Sequence, residues 1–122
     1  MLIDHGSRAP EANAVVERVA ELLRARLAGT HVEVAHLELA PPDFAEAVAR
    51  CVARGASEVV VQPFFLAPGR HSARDLPALA AAAQARHAGV SIRVGAPLGA
   101  HPALVDALLD RLSEGGGPPR SG

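Results

Sequence analysis

Apolar periodicity in this chain switches repeatedly between strand-like and helix-like, and that alternation restricts the fold more than any other feature of the sequence. Leu2-Ile3 open a short first strand. Pro10 suits a first helical turn, and Val15, Val16, Val19, Leu22, Leu23 and Leu27 form a 3.6-residue stripe ending before Gly29. Residues 32–39 read as a second strand. Pro41-Pro42 then start a helix whose buried face is Phe44, Val48, Cys51 and Val52, with Gly55 as its C′ residue. Val59-Val60-Val61 continue through Gln62-Pro63 towards Phe64-Phe65-Leu66 as a largely apolar run, the pattern expected of a central parallel strand covered from both sides. Ser72 and Asp75 have capping-box spacing ahead of an Ala-rich helix that Gly89 ends. Val90, Ile92 and Val94 alternate with polar residues as in an edge strand. A last helix from near Pro102 is expected to bury Leu104, Val105, Leu108, Leu109 and Leu112.

Four such strand–helix pairs imply an α/β fold, a three-layer sandwich around a four-stranded parallel sheet with right-handed crossovers and strand order 2-1-3-4. Residues 1–114 form the single expected domain, and 115–122, rich in Gly and Pro, an expected disordered tail. No apolar run approaches a membrane span, and Met1-Leu2-Ile3-Asp4-His5 does not resemble a signal peptide, so a cytoplasmic location is expected. Twelve basic residues against thirteen acidic ones, with no Trp or Tyr and three Phe, lack the charge and stacking surfaces of a nucleic-acid binder. The lone Cys51 reads as a small buried hydrophobe.

Parallel sheets bind ligands at the carboxyl ends of their strands, near the point where strand order reverses. That point lies here between strands one and three. The loops concerned are Asp4-His5-Gly6-Ser7-Arg8 and Pro63 to His71, and each delivers a histidine to the same edge. Taken alone, either histidine is more often a structural or surface residue; their convergence makes His5 and His71 candidate ligands for a divalent transition metal. Glu38 and His101 fall on the same edge as candidate proton relays or extra ligands. Glu38 is equally readable as a solvated strand end, and His101 as the cap of the last helix. Arg8, Arg70 and Arg74 flank the loops and suit a carboxylate-bearing or phosphate-bearing ligand, although each by itself reads as surface charge. Phe64, Phe65 and Leu66 read as core, with one side chain reaching the ligand. His31, His36 and His87 are not favoured as ligands. There is no Walker lysine loop, no G-x-G-x-x-G, no Cys-rich zinc pattern and no G-x-S-x-G elbow, so no nucleotide cofactor is expected.

The segments Ile3-Asp4-His5-Gly6-Ser7-Arg8, Pro10-Glu11-Ala12-Asn13, Leu37-Glu38-Leu39-Ala40-Pro41, Val61 to Leu66 with Pro68-Gly69-Arg70-His71, Asp75-Leu76-Pro77 and Pro97 to Pro102 together resemble the small, CbiX-type sirohydrochlorin chelatases. The resemblance runs to about residue 112 and implies a chelatase-like, flavodoxin-like half-domain. It implies a class II, ATP-independent enzyme that inserts Co²⁺ or Fe²⁺, in some members Ni²⁺, into a carboxylate-rich tetrapyrrole. His5 and His71 match that family's metal-binding and catalytic histidines, and Glu38 and His101 fall on recurrent positions. Short members pair as homodimers. Two readings from other classes stay open, a metal or tetrapyrrole carrier and an assembly-only domain. The first strand is shorter than is usual in the family, either because it is short in itself or because Met1 is a start placed late.

Overall fold

The computed structural model describes residues 1–69 and 74–120. Its elements run β1 (Leu2–Asp4), α1 (Pro10–Arg26), β2 (Val34–His36), α2 (Phe44–Ala53), β3 (Glu58–Pro63), α3 (Leu76–Arg86), β4 (Ser91–Val94) and α4 (Ala103–Glu114). All strand pairs are parallel and the order is β2-β1-β3-β4, as the alternation predicts. Because β1 to β2 moves one way across the sheet and later crossovers the other, right-handedness puts α1 on one face and α2 and α3 on the other. Each face has its own core. Ile3, Ala35, Val59, Val61 and Ile92 pack with Phe44, Val48 and Cys51 of α2 and with Leu76, Ala80 and Ala83 of α3. Leu2, Val32 and Val34 pack with Val16 and Ala20 of α1.

Local chemistry accounts for most boundaries. Pro10 occupies the first turn of α1, where its missing N–H costs nothing. Asp43 caps α2 by accepting from the Glu46 N–H at 2.9 Å, so the helix starts two residues after Pro41-Pro42 rather than at them. Gly55 has φ 92°, the left-handed conformation expected just past a helix end. The Ser72 half of the expected capping box lies outside the described residues. At the other end of the chain, Gly117 donates to the Leu112 carbonyl at 2.6 Å and closes α4.

Several apolar assignments change. The buried line of α1 is Val16 and Ala20, flanked by Val19 and Leu23, while Val15 and Leu22 are 53% and 52% exposed and Leu27 is exposed too. Since α1 lies only over β1 and β2, it has room to bury a narrower stripe than its sequence offers. β2 spans three residues instead of the expected 32–39, because beyond His36 the chain turns away through Leu39 at φ 70°. β3 stops at Pro63, and Val60 and Gln62 on its α1-side face are only half-buried, so this strand is covered fully on one face alone. In α4 no residue is buried: Val105, Leu108, Leu109 and Leu112 are exposed, Leu108 by 62%, and Leu104 is partly covered. An amphipathic helix carries its stripe whether or not a partner surface lies within its own chain. Among the described residues no helix is long and apolar enough to cross a membrane.

Ile3 is fully buried, and Ile3→Ala should lower the free energy of unfolding by about 2–5 kcal/mol in urea titration, whereas Leu22→Ala on the exposed side of α1 should stay within about 0.5 kcal/mol. Burial pushes the Cys51 thiol above its ordinary value, so the native protein should react with iodoacetamide at pH 8 at least about tenfold more slowly than the urea-unfolded chain.

Candidate metal centre

β1 and β3 are the two inner strands, and their carboxyl ends emerge side by side. The Phe64 N–H donates to the Ile3 carbonyl at 2.6 Å, which carries the β1–β3 pairing to the point where the loops begin. His5 leaves β1 there. Its ring stacks on Phe65 with centroids 4.4 Å apart and an interplanar angle of 22°. Its Nδ1 is buried with no hydrogen-bond partner among the described residues. A buried ring nitrogen without a partner costs free energy that a coordinated ion or a bound ligand would recover. That orphaned donor set suits a soft-to-intermediate divalent ion better than Mg²⁺ or Ca²⁺, which prefer oxygen ligands.

The loop carrying His5 is tied at several points. Ser7 and Asn13 exchange two hydrogen bonds: the Ser7 N–H donates to Asn13 Oδ1 at 2.9 Å and Asn13 Nδ2 donates to the Ser7 carbonyl at 2.7 Å. The Ala9 N–H donates to Ser7 Oγ at 3.0 Å, leading the chain into α1. Across the sheet, Leu37 N–H donates to the Asp4 carbonyl at 3.0 Å and Glu38 N–H to the His5 carbonyl at 3.2 Å. Glu38 is half-buried on this same edge and takes part in a polar interaction of its own. Gly6 sits where these segments meet. It has φ 86°, and a Cβ there would run into the Glu38 carbonyl.

The remaining candidates are placed as follows. His71 and Arg70 lie outside the described residues. Leu98 and Gly99 donate to the Phe65 and Leu66 carbonyls at 3.0 and 2.9 Å, which brings the loop before α4 against the continuation of β3. His101 follows, exposed, and its Nδ1 accepts from the Ala103 N–H at 3.0 Å, so it caps α4 and keeps only Nε2 for other work. Arg8 and Arg74 are both solvent-exposed. A shallow concavity of about 340 Å³ is lined by His5, Gly6, Ser7, Val15 and Phe64. Another of about 280 Å³ lies on the far side of Phe65, between Arg74, Pro77 and Pro97. Of the three residues expected in the core, Phe64 and Phe65 are half-buried, Phe65 being the one that reaches His5, and Leu66 is exposed. Three carboxyl-edge residues carry more than the sequence pattern assigns them. Asn13 holds the loop. The buried His36 and the half-buried Asp4 form a side-chain pair, His36 Nδ1 donating to Asp4 Oδ1 at 2.6 Å. Placing His36 in mid-strand hid it; with β2 ending at His36, the ring is at the edge. Among the described residues no three His, Cys, Asp or Glu side chains gather as a complete metal cluster.

Gly6→Ala should force the Glu38 segment away from β1. Beyond a cost of about 1–3 kcal/mol for a non-glycine residue at positive φ, the variant should show reduced protection of the Glu38 amide in hydrogen-exchange measurements.

Comparison with known proteins agrees with this arrangement. A family model described as CbiX matches residues 1–115. The chloroplastic sirohydrochlorin ferrochelatase of Arabidopsis thaliana is 43% identical over 112 residues, which cover 92% of this chain and 50% of that protein. A sirohydrochlorin cobaltochelatase of Methanopyrus kandleri is 31% identical over 134 residues, covering 93% of this chain and 94% of that one. Among solved structures, SirB from Bacillus subtilis with Fe³⁺ superposes with a TM-score of 0.82 at 28% identity, over 96% of this chain and 46% of SirB. The chain thus spans about half the length of the Arabidopsis protein and of SirB. With the family model covering nearly the whole sequence and the sheet, its order and the His5 edge in place, the chain belongs to the CbiX family.

Proposed function

We propose that this chain inserts a divalent metal ion, Co²⁺, Fe²⁺ or Ni²⁺, into sirohydrochlorin or a related carboxylate-rich tetrapyrrole without ATP, working as a homodimer. The observation that carries this reading is His5, an imidazole at the carboxyl edge of an inner strand, stacked on Phe65, with a buried Nδ1 that has no hydrogen-bond partner among the described residues. The names of the relatives supply the substrate class: a sirohydrochlorin ferrochelatase and a sirohydrochlorin cobaltochelatase.

Insertion exchanges one M²⁺ for two pyrrole N–H protons, so a site must hold the ion, pass it to four ring nitrogens and take up the protons. His5 and His71 hold the incoming ion in this reading, and an imidazole released as coordination transfers becomes a base for one proton. Glu38 or the Nε2 of His101 relays the other. Arg8, Arg70 and Arg74 orient the peripheral carboxylates, and the apolar surfaces of Phe64 and Val15 accept the flat face of the ring. Formation of four metal–nitrogen bonds supplies the driving force.

The homodimer is supported by α4. Its stripe of Val105, Leu108, Leu109 and Leu112 stays in water in a single chain. Burying each such side chain contributes on the order of 1.5–3 kcal/mol, and a second copy would also add the opposing wall that one chain lacks.

Incubation with sirohydrochlorin and each metal, against a protein-free control, should give metal-dependent absorbance changes with many turnovers. Binding that stops at one equivalent would instead identify a carrier. His5→Ala and His71→Ala should each lower the rate about 100-fold or more with unchanged circular dichroism, and full activity in a folded double variant would sink the proposal. Leu108→Glu should shift the sedimentation coefficient to that of a monomer.

A further inference from the structure

A polar pair, one member buried and the other partly so, lies beside the candidate donors without belonging to them. Asp4 and His36 are register partners on the last rung of the β1–β2 ladder. Strand alternation puts their side chains on the face that carries Leu2 and Val34, under α1. The His36 residue is 2% exposed, and its Nδ1 lies 2.6 Å from Asp4 Oδ1. Taking an imidazole and a carboxylate out of water costs free energy that two aliphatic residues at the same rung would not, so stability alone does not explain the pair.

Its position does. His5 follows Asp4 directly, and Glu38 is two residues after His36. Past the rung the two backbones stay joined, by the Leu37 N–H on the Asp4 carbonyl and the Glu38 N–H on the His5 carbonyl. The β1–β2 ladder has three register pairs, and beyond it two main-chain bonds join the ends. A side-chain bond across the final rung then bears directly on the separation of the segments that follow.

We propose that Asp4 and His36 are positioning residues for metal binding, their buried hydrogen bond fixing the spacing between the peptides that carry His5 and Glu38. The inference rests on the reading of His5 as a metal ligand and of Glu38 as a relay or extra ligand beside it. Outer partners of metal ligands usually act through a direct hydrogen bond to the ligand. Here the link is one or two peptides long, so its loss loosens the site without removing a donor.

The test uses the full chain with Co²⁺ alone, read by affinity and by the visible ligand-field spectrum. The double variant Asp4→Val/His36→Leu removes the bond without orphaning a buried polar group and should fold at wild-type stability or above. It should nevertheless bind Co²⁺ at least tenfold more weakly, with shifted absorption bands and faster exchange of the Leu37 and Glu38 amides. His36→Asn, whose amide nitrogen reaches near the Nδ1 position, should restore affinity to within threefold of the unaltered chain, well above His36→Ala. A folded double variant with Co²⁺ affinity and spectrum matching the unaltered chain overturns the proposal. If the double variant does not fold, equal affinities for His36→Asn and His36→Ala overturn it. Failure of the unaltered chain to bind Co²⁺ would overturn the metal reading and this inference with it, a result distinct from the first.

Discussion

β1 contributes three residues, Leu2–Asp4, yet it is hydrogen-bonded along both of its edges, and the geometry of the carboxyl edge follows from that double pairing. A parallel strand cannot reach its neighbour by a tight turn, so β2 and β3 arrive only after α1 and α2 have crossed the sheet. Leu2 and Ile3 project into different cores, each closed by a different helix layer. Register is therefore set from both faces at once: a one-residue slip would exchange the two side chains and expose the apolar set of one layer to the packing of the other. His5 inherits its place from this arrangement, being the first residue after the ladder.

Around that position the structure concentrates polar groups in a way an aliphatic core does not require. Asp4 and His36 close the last rung, Ser7 and Asn13 hold the loop into α1, and Gly6 admits the Glu38 carbonyl where any side chain would collide. These interactions restrict the backbone on both sides of His5, while the ring itself stacks on Phe65 and its Nδ1 has no hydrogen-bond partner among the described residues. Restrained backbone with an unsatisfied donor is the arrangement of a site organised before its ligand arrives, which lowers the ordering cost of binding. The stripe of α4 is the corresponding feature at the level of the helix layer: apolar surface exposed in the chain, of the kind that marks interaction sites.

The alternation of strand and helix periods, the crossover rule and the resulting order β2-β1-β3-β4 were legible in the sequence, because period, capping and handedness are set by local backbone geometry. The same logic put the loop of His5 at the carboxyl edge of the sheet. The His36 role was not legible. Its residue type says nothing about a partner 32 positions away at Asp4, and an overlong second strand placed it in the middle of an element instead of at its end.

Which stripe becomes core was likewise decided only in three dimensions. The sequence of α1 presents Val15, Leu22 and Leu27 as readily as Val16 and Ala20, and that of α4 presents a continuous apolar face; periodicity records that a face exists. Whether it is buried depends on which surfaces other segments bring against it, and those contacts join residues far apart in the chain. The sequence by itself thus determined the elements, their order and the histidine edge. Only the tertiary structure decided which side chains are dry, which histidine is paired, and which helix is left without cover, because burial and hydrogen-bond partnership are properties of neighbours that no local pattern contains.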